Sequence, residues 1–219
     1  MKSTFFLLAL PFVALLASCQ KNVLVGKGPV VTREVAISAA ETVALHYGIE
    51  LRIQYAAAPR LVVTGYENLI NAMPNKVVNG HLDITLNNGY ERVKNNNLKA
   101  ILYLPLVKSV SEHGSGKLTL AGFENGEALE VRQHGSGDIE SLASSFTRLT
   151  VQLHGSGKVD FEKSACKEAR VNIHGSGNVL VKASQILLAS VFGSGSIYYW
   201  GNPQITMQIN GSGKVIKKG

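Results

Sequence analysis

The chain has 219 residues, of which 45% are hydrophobic, and its 22 basic and 15 acidic residues give a formal charge of +7. That length suits one domain with at most a small appendage, and it allows a sizeable core. The charge mildly favours acidic partners such as anionic glycans or lipid headgroups, although a solvated basic surface is the simpler explanation. The chain has no phosphate-binding loop, dinucleotide fingerprint or nucleic-acid motif, and we expect no nucleic-acid partner.

The first 18 residues are predicted to be a secretory signal peptide. A short basic start at residues 1–3 precedes an apolar run over residues 5–16, which is too short to span a bilayer. The run ends in Leu16-Ala17-Ser18-Cys19, which resembles a bacterial lipobox. The resemblance implies that Cys19 is lipidated and becomes the first residue of the mature chain. The alternative is an ordinary cleaved signal with an incidental cysteine.

The residues after Cys19 bear on location and on the second cysteine. Neither an aspartate nor an acidic pair follows Cys19, so nothing there resembles a signal for inner-membrane retention or surface export. We therefore expect an exported protein, anchored by lipid to the bacterial outer membrane on its periplasmic or surface side. Residues 19–29 are predicted to be a tether. Cys166, left without a partner, is predicted to be a buried small side chain rather than a reactive thiol.

Residues 30–108 are predicted to be strands that are not visibly in phase with the later repeats. Apolar residues alternate with polar ones, for example at Leu51 and Ile53, and this pattern is typical of half-buried strands. A single helical turn is expected within residues 67–73, before Pro74. The dipeptide Asn79-Gly80 is a strong turn signal. These residues are expected to form irregular first coils that cap the structure.

From residue 109 onward one phrase recurs, Gly-Ser-Gly with a preferred residue before it. The phrases begin at His113, His134, His154, His174, Phe192 and Asn210, separated by 21, 20, 20, 18 and 18 residues. Each phrase contributes two glycines: Gly114 and Gly116, Gly135 and Gly137, Gly155 and Gly157, Gly175 and Gly177, Gly193 and Gly195, Gly211 and Gly213. Self-similarity at this period is the signature of a solenoid. Its glycines are expected where the backbone needs a positive φ or where coils approach too closely for a Cβ.

Aliphatic residues keep a constant distance from every phrase. Two residues after the second glycine stand Leu118, Ile139, Val159, Val179, Ile197 and Val215. Positions one, three and five before the phrase are mostly apolar, and the positions between them are mostly polar. A strand with one buried face has this pattern. The sequence therefore predicts an all-β fold, a parallel β-helix or solenoid of about 20-residue coils, as a single domain over residues 30–219 with repeat coils over 109–219.

Together with the lipobox, three features carry a resemblance to a known family. They are the Gly-Ser-Gly repeats, the stretch Tyr198-Tyr199-Trp200-Gly201-Asn202-Pro203, and the stretch Leu61-Val62-Val63-Thr64-Gly65-Tyr66-Glu67-Asn68-Leu69. Over residues 30–217 the chain resembles the autotransporter adhesin family, also called the head GIN domain family, of Bacteroidetes-type envelopes. The resemblance implies a right-handed parallel β-helix-like fold and an adhesion role. It brings no catalytic residues.

The repeated His-Gly-Ser-Gly places a base beside a hydroxyl, but it does not predict a catalytic site. A catalytic pair is needed once, whereas this unit occurs four times, and no carboxylate recurs to orient each histidine. The column of His113, His134, His154 and His174 is predicted to be a stacked ladder. A shared transition metal is the alternative, disfavoured because no further ligand recurs beside the column. We expect no metal and no cofactor.

Glu140 and Asp160 occupy one row on adjacent coils. Two close carboxylates serve glycoside-cleaving enzymes or Ca²⁺ sites, so a polysaccharide-active β-helix enzyme is the alternative that these residues raise. The simpler interpretation is a solvated charged face, because Lys158 is near and the next coil offers Leu180 in that row.

Tyr198, Tyr199 and Trp200 form an aromatic cluster that includes the only tryptophan of the chain. Exposed aromatics stack on sugar rings, whereas buried ones would close the end of the core. We therefore expect a non-catalytic adhesion or binding module of the cell envelope, tied to the membrane by its lipid, with a glycan or an envelope protein as partner. A polysaccharide-active enzyme and a structural envelope protein are the alternatives.

Overall fold

The computed structural model describes residues 22–87 and 89–218, and these residues form an all-β solenoid. The predicted signal peptide and Cys19 lie outside the described residues. The one helix among them is α1, Glu67–Asn71, within the predicted helical turn. The strands are β1 Val23–Val25, β2 Val30–Ala36, β3 Thr42–His46, β4 Glu50–Tyr55, β5 Arg60–Tyr66, β6 Val77–Val78, β7 His81–Ile84, β8 Arg92–Lys94, β9 Lys99–Leu104, β10 Ser109–Gly114, β11 Lys117–Ala121, β12 Gly126–Gly135, β13 Asp138–Gly155, β14 Lys158–Gly175, β15 Asn178–Gly193, β16 Ser196–Trp200, β17 Gln204–Asn210 and β18 Lys214–Lys217.

The Gly-Ser-Gly repeats stack in register, which confirms the predicted solenoid. Each coil has one strand segment that enters the phrase and another that leaves it. Entering segments pair in the parallel order β10, β12, β13, β14, β15 and β17, so that each phrase lies directly over the phrase before it. Leaving segments pair in the order β11, β13, β14, β15, β16 and β18.

The predicted aliphatic rows form the core. The row that follows the phrase is buried in every coil but the last: Leu118, Ile139, Val159, Val179 and Ile197. The row three residues before the phrase is also buried: Val110, Val131, Val151, Val171 and Ala189. Stacking equivalent side chains about 4.8 Å apart turns each row into a continuous apolar ladder and removes its surface from water.

The geometry of the corner requires both glycines of a phrase. Gly135 adopts a φ of 126°, a conformation that residues with a Cβ rarely adopt. Its neighbour Ser136 and then Gly137 both donate backbone hydrogen bonds to the Gly114 carbonyl, at 2.8 and 3.1 Å. A Cβ on Gly137 would overlap the backbone oxygen of Gly116 and the Glu112 carboxyl group. A Cβ on Gly135 would likewise overlap the Gly114 backbone oxygen, so the close approach of the coils requires both glycines and the backbone conformation requires Gly135 in addition.

Two N-terminal strands, β3 and β4, stack in register with the repeats, although no such phase was predicted from the sequence. β3 pairs with β10 and β4 pairs with β11, both parallel, and His46 lies beside His113. The corner here is built from Tyr47, with a φ of 59°, and Gly48, with a φ of 66°. The coil of β3 and β4 has no Gly-Ser-Gly phrase, so this motif does not reveal it in the sequence. Its row spacing remains visible in Leu45, directly before His46, and in Leu51, five residues after it.

The coils do not stack in chain order at the N-terminal end. β7 and β9 form a coil that lies outside the β3 and β4 coil, although they follow it in sequence. Between β9 and β10 the chain therefore crosses the coil of β3 and β4 to reach its other side. Antiparallel β5 and β2 extend the sheet beyond β9, and Leu69 and Ile70 of α1 are buried against the core. This end of the solenoid is capped.

Part of the predicted tether belongs to the fold. β1, within residues 19–29, pairs in parallel with β8, and the Gly26 backbone donates a hydrogen bond to the Lys94 carbonyl. β1 is only three residues long and entirely aliphatic, so its sequence alone does not distinguish it as a strand. Among the described residues, no helix is long and apolar enough to cross a membrane.

Candidate binding face

The aromatic cluster of β16 is split between two faces. Ile197 is fully buried, and because side chains alternate along a strand, Tyr199 points inward while Tyr198 and Trp200 point outward. Tyr199 packs against the core. The three residues thus divide between the two predicted roles: Tyr199 helps close the core, and Tyr198 and Trp200 stay half-exposed on the outer surface.

Apolar and basic side chains surround the outward aromatics. Tyr198 lies between Leu180 on one neighbouring strand and Ile216 on the other. Trp200 is opposite Lys182. The Lys218 ammonium lies 5.1 Å from the centre of the Tyr198 ring, a favourable cation–π geometry. We call this surface, formed by Leu180, Lys182, Tyr198, Trp200, Ile216 and Lys218, the aromatic face.

The aromatic face lies in a part of the chain that has no carboxylate side chain. All 15 acidic residues occur at or before Glu168, whereas five basic residues follow it: Arg170, Lys182, Lys214, Lys217 and Lys218. The net charge of the whole chain hides this asymmetry, which becomes visible when charges are counted by segment. The C-terminal coils therefore contribute basic and no acidic side chains to this surface, and the nearest acidic neighbour in the row, Asp160 beside Leu180, is paired with Lys158.

The predicted carboxylate pair is neutralised by lysines. Glu140 and Asp160 do share a row on adjacent strands. Each is bonded to a lysine, however: Glu140 Oε2 lies 3.1 Å from Lys117 Nζ, and Asp160 Oδ2 lies 2.7 Å from Lys158 Nζ. Each carboxylate is thus paired with a lysine, an arrangement that is common on a charged protein surface.

The histidine column is longer than predicted. Rings stack from His46 to Phe192 with centroids 4.8–5.0 Å apart and planes within 12° of parallel, in the order His46, His113, His134, His154, His174 and Phe192. Burial, and then the neighbouring histidines, hold the pKa of His113 and of His154 below its usual value. The Nδ1 atom of His154 is buried without a hydrogen-bond partner. Burial thus favours the neutral form of His113 and of His154 within the column.

One end of the column contacts a carboxylate. Oδ1 of Asp83 lies 3.3 Å from Nε2 of His46 and 3.2 Å from Nε2 of His81. This contact raises the possibility of a metal site beside the column. Within residues 22–87 and 89–218, however, no three His, Cys, Asp or Glu side chains converge in a way that could hold a metal ion.

A buried polar cluster was not foreseen at the first Gly-Ser-Gly coil. Glu112 is completely buried, and its carboxylate accepts hydrogen bonds from the Gly116 backbone at 2.8 Å and from Gln133 Nε2 at 3.0 Å. Burial is the main cause that raises the pKa of Glu112 above its usual value. Glu112 stands one residue before its phrase, in the row that Leu153 occupies two coils later. A charged residue in this otherwise mostly apolar row is the sequence feature that indicates a buried polar cluster.

Cys166 is buried, as predicted. Its side chain is 4% exposed, and burial raises the pKa of its thiol to about 12. A thiol with that pKa stays protonated at neutral pH and is a poor nucleophile.

These features define a class, the β-solenoid binding module, with a regular surface and aromatic side chains at one end. The chain belongs to the family described as "Putative auto-transporter adhesin, head GIN domain", whose model matches residues 41–203. The family predicted from the repeats is therefore confirmed. No curated protein matches the chain.

Solved structures share the fold. A "putative adhesin" from Bacteroides fragilis superimposes with a TM-score of 0.72 at 16% identity, covering 89% of this chain and 100% of that one. A "putative lipid binding protein" from Parabacteroides distasonis gives a TM-score of 0.60 at 25% identity, covering 90% of this chain and 100% of that one. A "putative adhesin" from Parabacteroides merdae gives 0.52 at 17% identity, with 90% and 100% covered.

Proposed function

We propose that this protein is an exported, non-catalytic adhesion module that binds an anionic glycan through its aromatic face. The observation that carries the proposal is the outward pair Tyr198 and Trp200, set among lysines in a segment without a carboxylate. Aromatic rings stack on the apolar faces of sugars, and ammonium groups pair with carboxylate or sulfate substituents. Both kinds of contact are available on this one surface.

The position of the face suits a module held at a membrane by its N-terminus. Lipidation of Cys19 would attach the chain just before β1, at the capped end of the solenoid. Between β9 and β18 there are seven strand spacings of roughly 4.8 Å, so the aromatic face lies about 30 Å farther along the stack. A surface at that distance from the anchor is accessible to a ligand in front of the membrane.

Anionic lipid is the second candidate ligand. The Parabacteroides distasonis structure, 25% identical over most of this chain, is described as a lipid-binding protein. Lysines and half-exposed aromatics also suit a headgroup surface. The glycan is preferred because the aromatic face lies at the opposite end of the solenoid from the proposed lipid anchor.

The test is a glycan array with the full chain carrying Cys19→Ser, which prevents lipidation. We expect saturable binding to acidic glycans that weakens with salt and is lost in Trp200→Ala. The matched control is Tyr55→Ala, which removes an exposed aromatic from β4 near the capped end. Vesicles with and without phosphatidylserine form the second arm. Binding to vesicles and not to glycans would identify anionic lipid as the ligand. Equal loss of binding in Trp200→Ala and Tyr55→Ala would show that the aromatic face is not the binding site.

A further inference from the structure

The C-terminal end of the solenoid has no cap among the described residues. The inward-facing row of β17 continues the buried row of Leu187, Ala189 and Val191 on β15. On β17 the row consists of Ile205, Met207 and Ile209, and there Met207 is 54% exposed and Ile209 is 38% exposed. The core of the stack is thus open to solvent at this coil.

The two ends of the solenoid differ in construction. At the other end β5 and β2 run antiparallel beyond β9, and α1 covers the core. At the C-terminal end β17 pairs only with β15, and β18 pairs only with β16, among residues 22–87 and 89–218. Each therefore has one unpaired backbone edge, and terminal coils of solenoids ordinarily need a polar cap.

The pattern of β18 defines the strand that would fit beside it. Lys214 and Ile216 point outward, whereas Val215 and Lys217 belong to the inward rows. A neighbouring strand whose side chains alternate would gain most from carboxylates on the outward side, beside Lys214, and apolar side chains on the inward side, beside Val215. Beside β17 the complement is a strand with apolar side chains at every second position.

We propose that the open edge of β17 and β18 binds an extended, acidic segment of a partner protein as an added strand. The partner would continue the sheet with backbone hydrogen bonds, cover Met207 and Ile209, and place its carboxylates on the outward side, beside Lys214. A second copy of this chain fits less well. Joining two such ends would bring Lys214, Lys217 and Lys218 of both copies together.

The probe is a fluorescent nine-residue peptide of alternating valine and glutamate, added to the full chain with Cys19→Ser. We expect saturable binding by fluorescence anisotropy, weakened by salt, with slower amide hydrogen exchange in residues 204–217. Met207→Thr with Ile209→Thr replaces the two exposed apolar side chains of the row by threonine, which is β-branched and suits a strand, and binding should fall at least tenfold. Gln208→Thr, on the outward side of β17, is the matched control and should change binding less than twofold.

Three results would overturn the proposal. The first is equal binding of a peptide with lysine in place of glutamate. The second is binding that survives the double threonine variant. The third is self-association at micromolar concentration that this double variant abolishes, because it would make a second copy the occupant. Trp200→Ala should leave peptide binding unchanged, so failure of glycan binding and failure of strand binding are separate outcomes.

Discussion

Gln133 donates a hydrogen bond of 3.0 Å from Nε2 to Oε2 of Glu112 on the preceding coil, inside the core. The same Nε2 lies 2.9 Å from the Gly137 carbonyl, while Oε1 of Gln133 is buried without a partner. Polar groups thus interrupt an otherwise apolar row at two consecutive coils. A buried polar group is costly unless it is paired, so this contact favours one register of the two coils over the others.

We first predict that these two residues are strongly coupled. Gln133→Leu leaves the Glu112 carboxyl with the Gly116 N–H alone and should lower the free energy of unfolding by about 1–3 kcal/mol. Adding Glu112→Leu should recover most of that loss, since leucine already fills this row at Leu153. Urea unfolding of the two single variants and the double variant measures the coupling. Additive losses would contradict it.

The raised pKa of Glu112 predicts a loss of stability with rising pH. The folded state holds the proton of Glu112 more tightly than the unfolded state, through burial and the nearby Asp138. This stabilising contribution is complete below the ordinary pKa of 4.5 and is lost as the pH rises through the folded-state pKa. Urea unfolding from pH 4 to 8 should show that the unfolding free energy of the wild type declines relative to that of Glu112→Gln as the pH rises. Parallel profiles would exclude Glu112 as its source.

The histidine column predicts the opposite dependence in acid. His113 and His154 have lowered pKa values, so the unfolded chain binds protons more readily than the folded one. Their contribution is complete above the ordinary pKa of 6.5 and is lost as the pH falls through the folded-state pKa. His154→Phe, which imitates Phe192, should reduce the drop in melting temperature between pH 7.5 and pH 5. An unchanged drop in His154→Phe would contradict this prediction.

The corner glycines predict a sharp difference between neighbouring positions. Gly137→Ala places a methyl group against the Gly116 oxygen and the Glu112 carboxyl group, and should cost about 3 kcal/mol of unfolding free energy. Ser136→Ala, at the exposed tip of the same corner, should stay within about 0.5 kcal/mol of the wild type. Thermal and urea unfolding compare the two. A tolerated Gly137→Ala would mean that the coils can separate locally.

Local repetition made most of the fold predictable. The spacing from each phrase to Leu118, Ile139 and Val159 depends only on neighbouring residues, and any regular stack must bury such rows. The same regularity placed the four histidines of the repeats in one column. It also separates Tyr199 from Tyr198 and Trp200, because alternation along a strand depends on the backbone alone.

Tertiary structure decided what repetition does not encode. The coil of β7 and β9 lies outside the β3 and β4 coil because pairing with β3 and β4 completes a core that neither segment closes alone. Glu112 becomes a buried acid only when Gln133 stacks on it, and Lys218 reaches Tyr198 only across the last coil. Periodic apolar residues determine which side chains face inward, whereas competition among distant strand pairings determines which neighbours they meet.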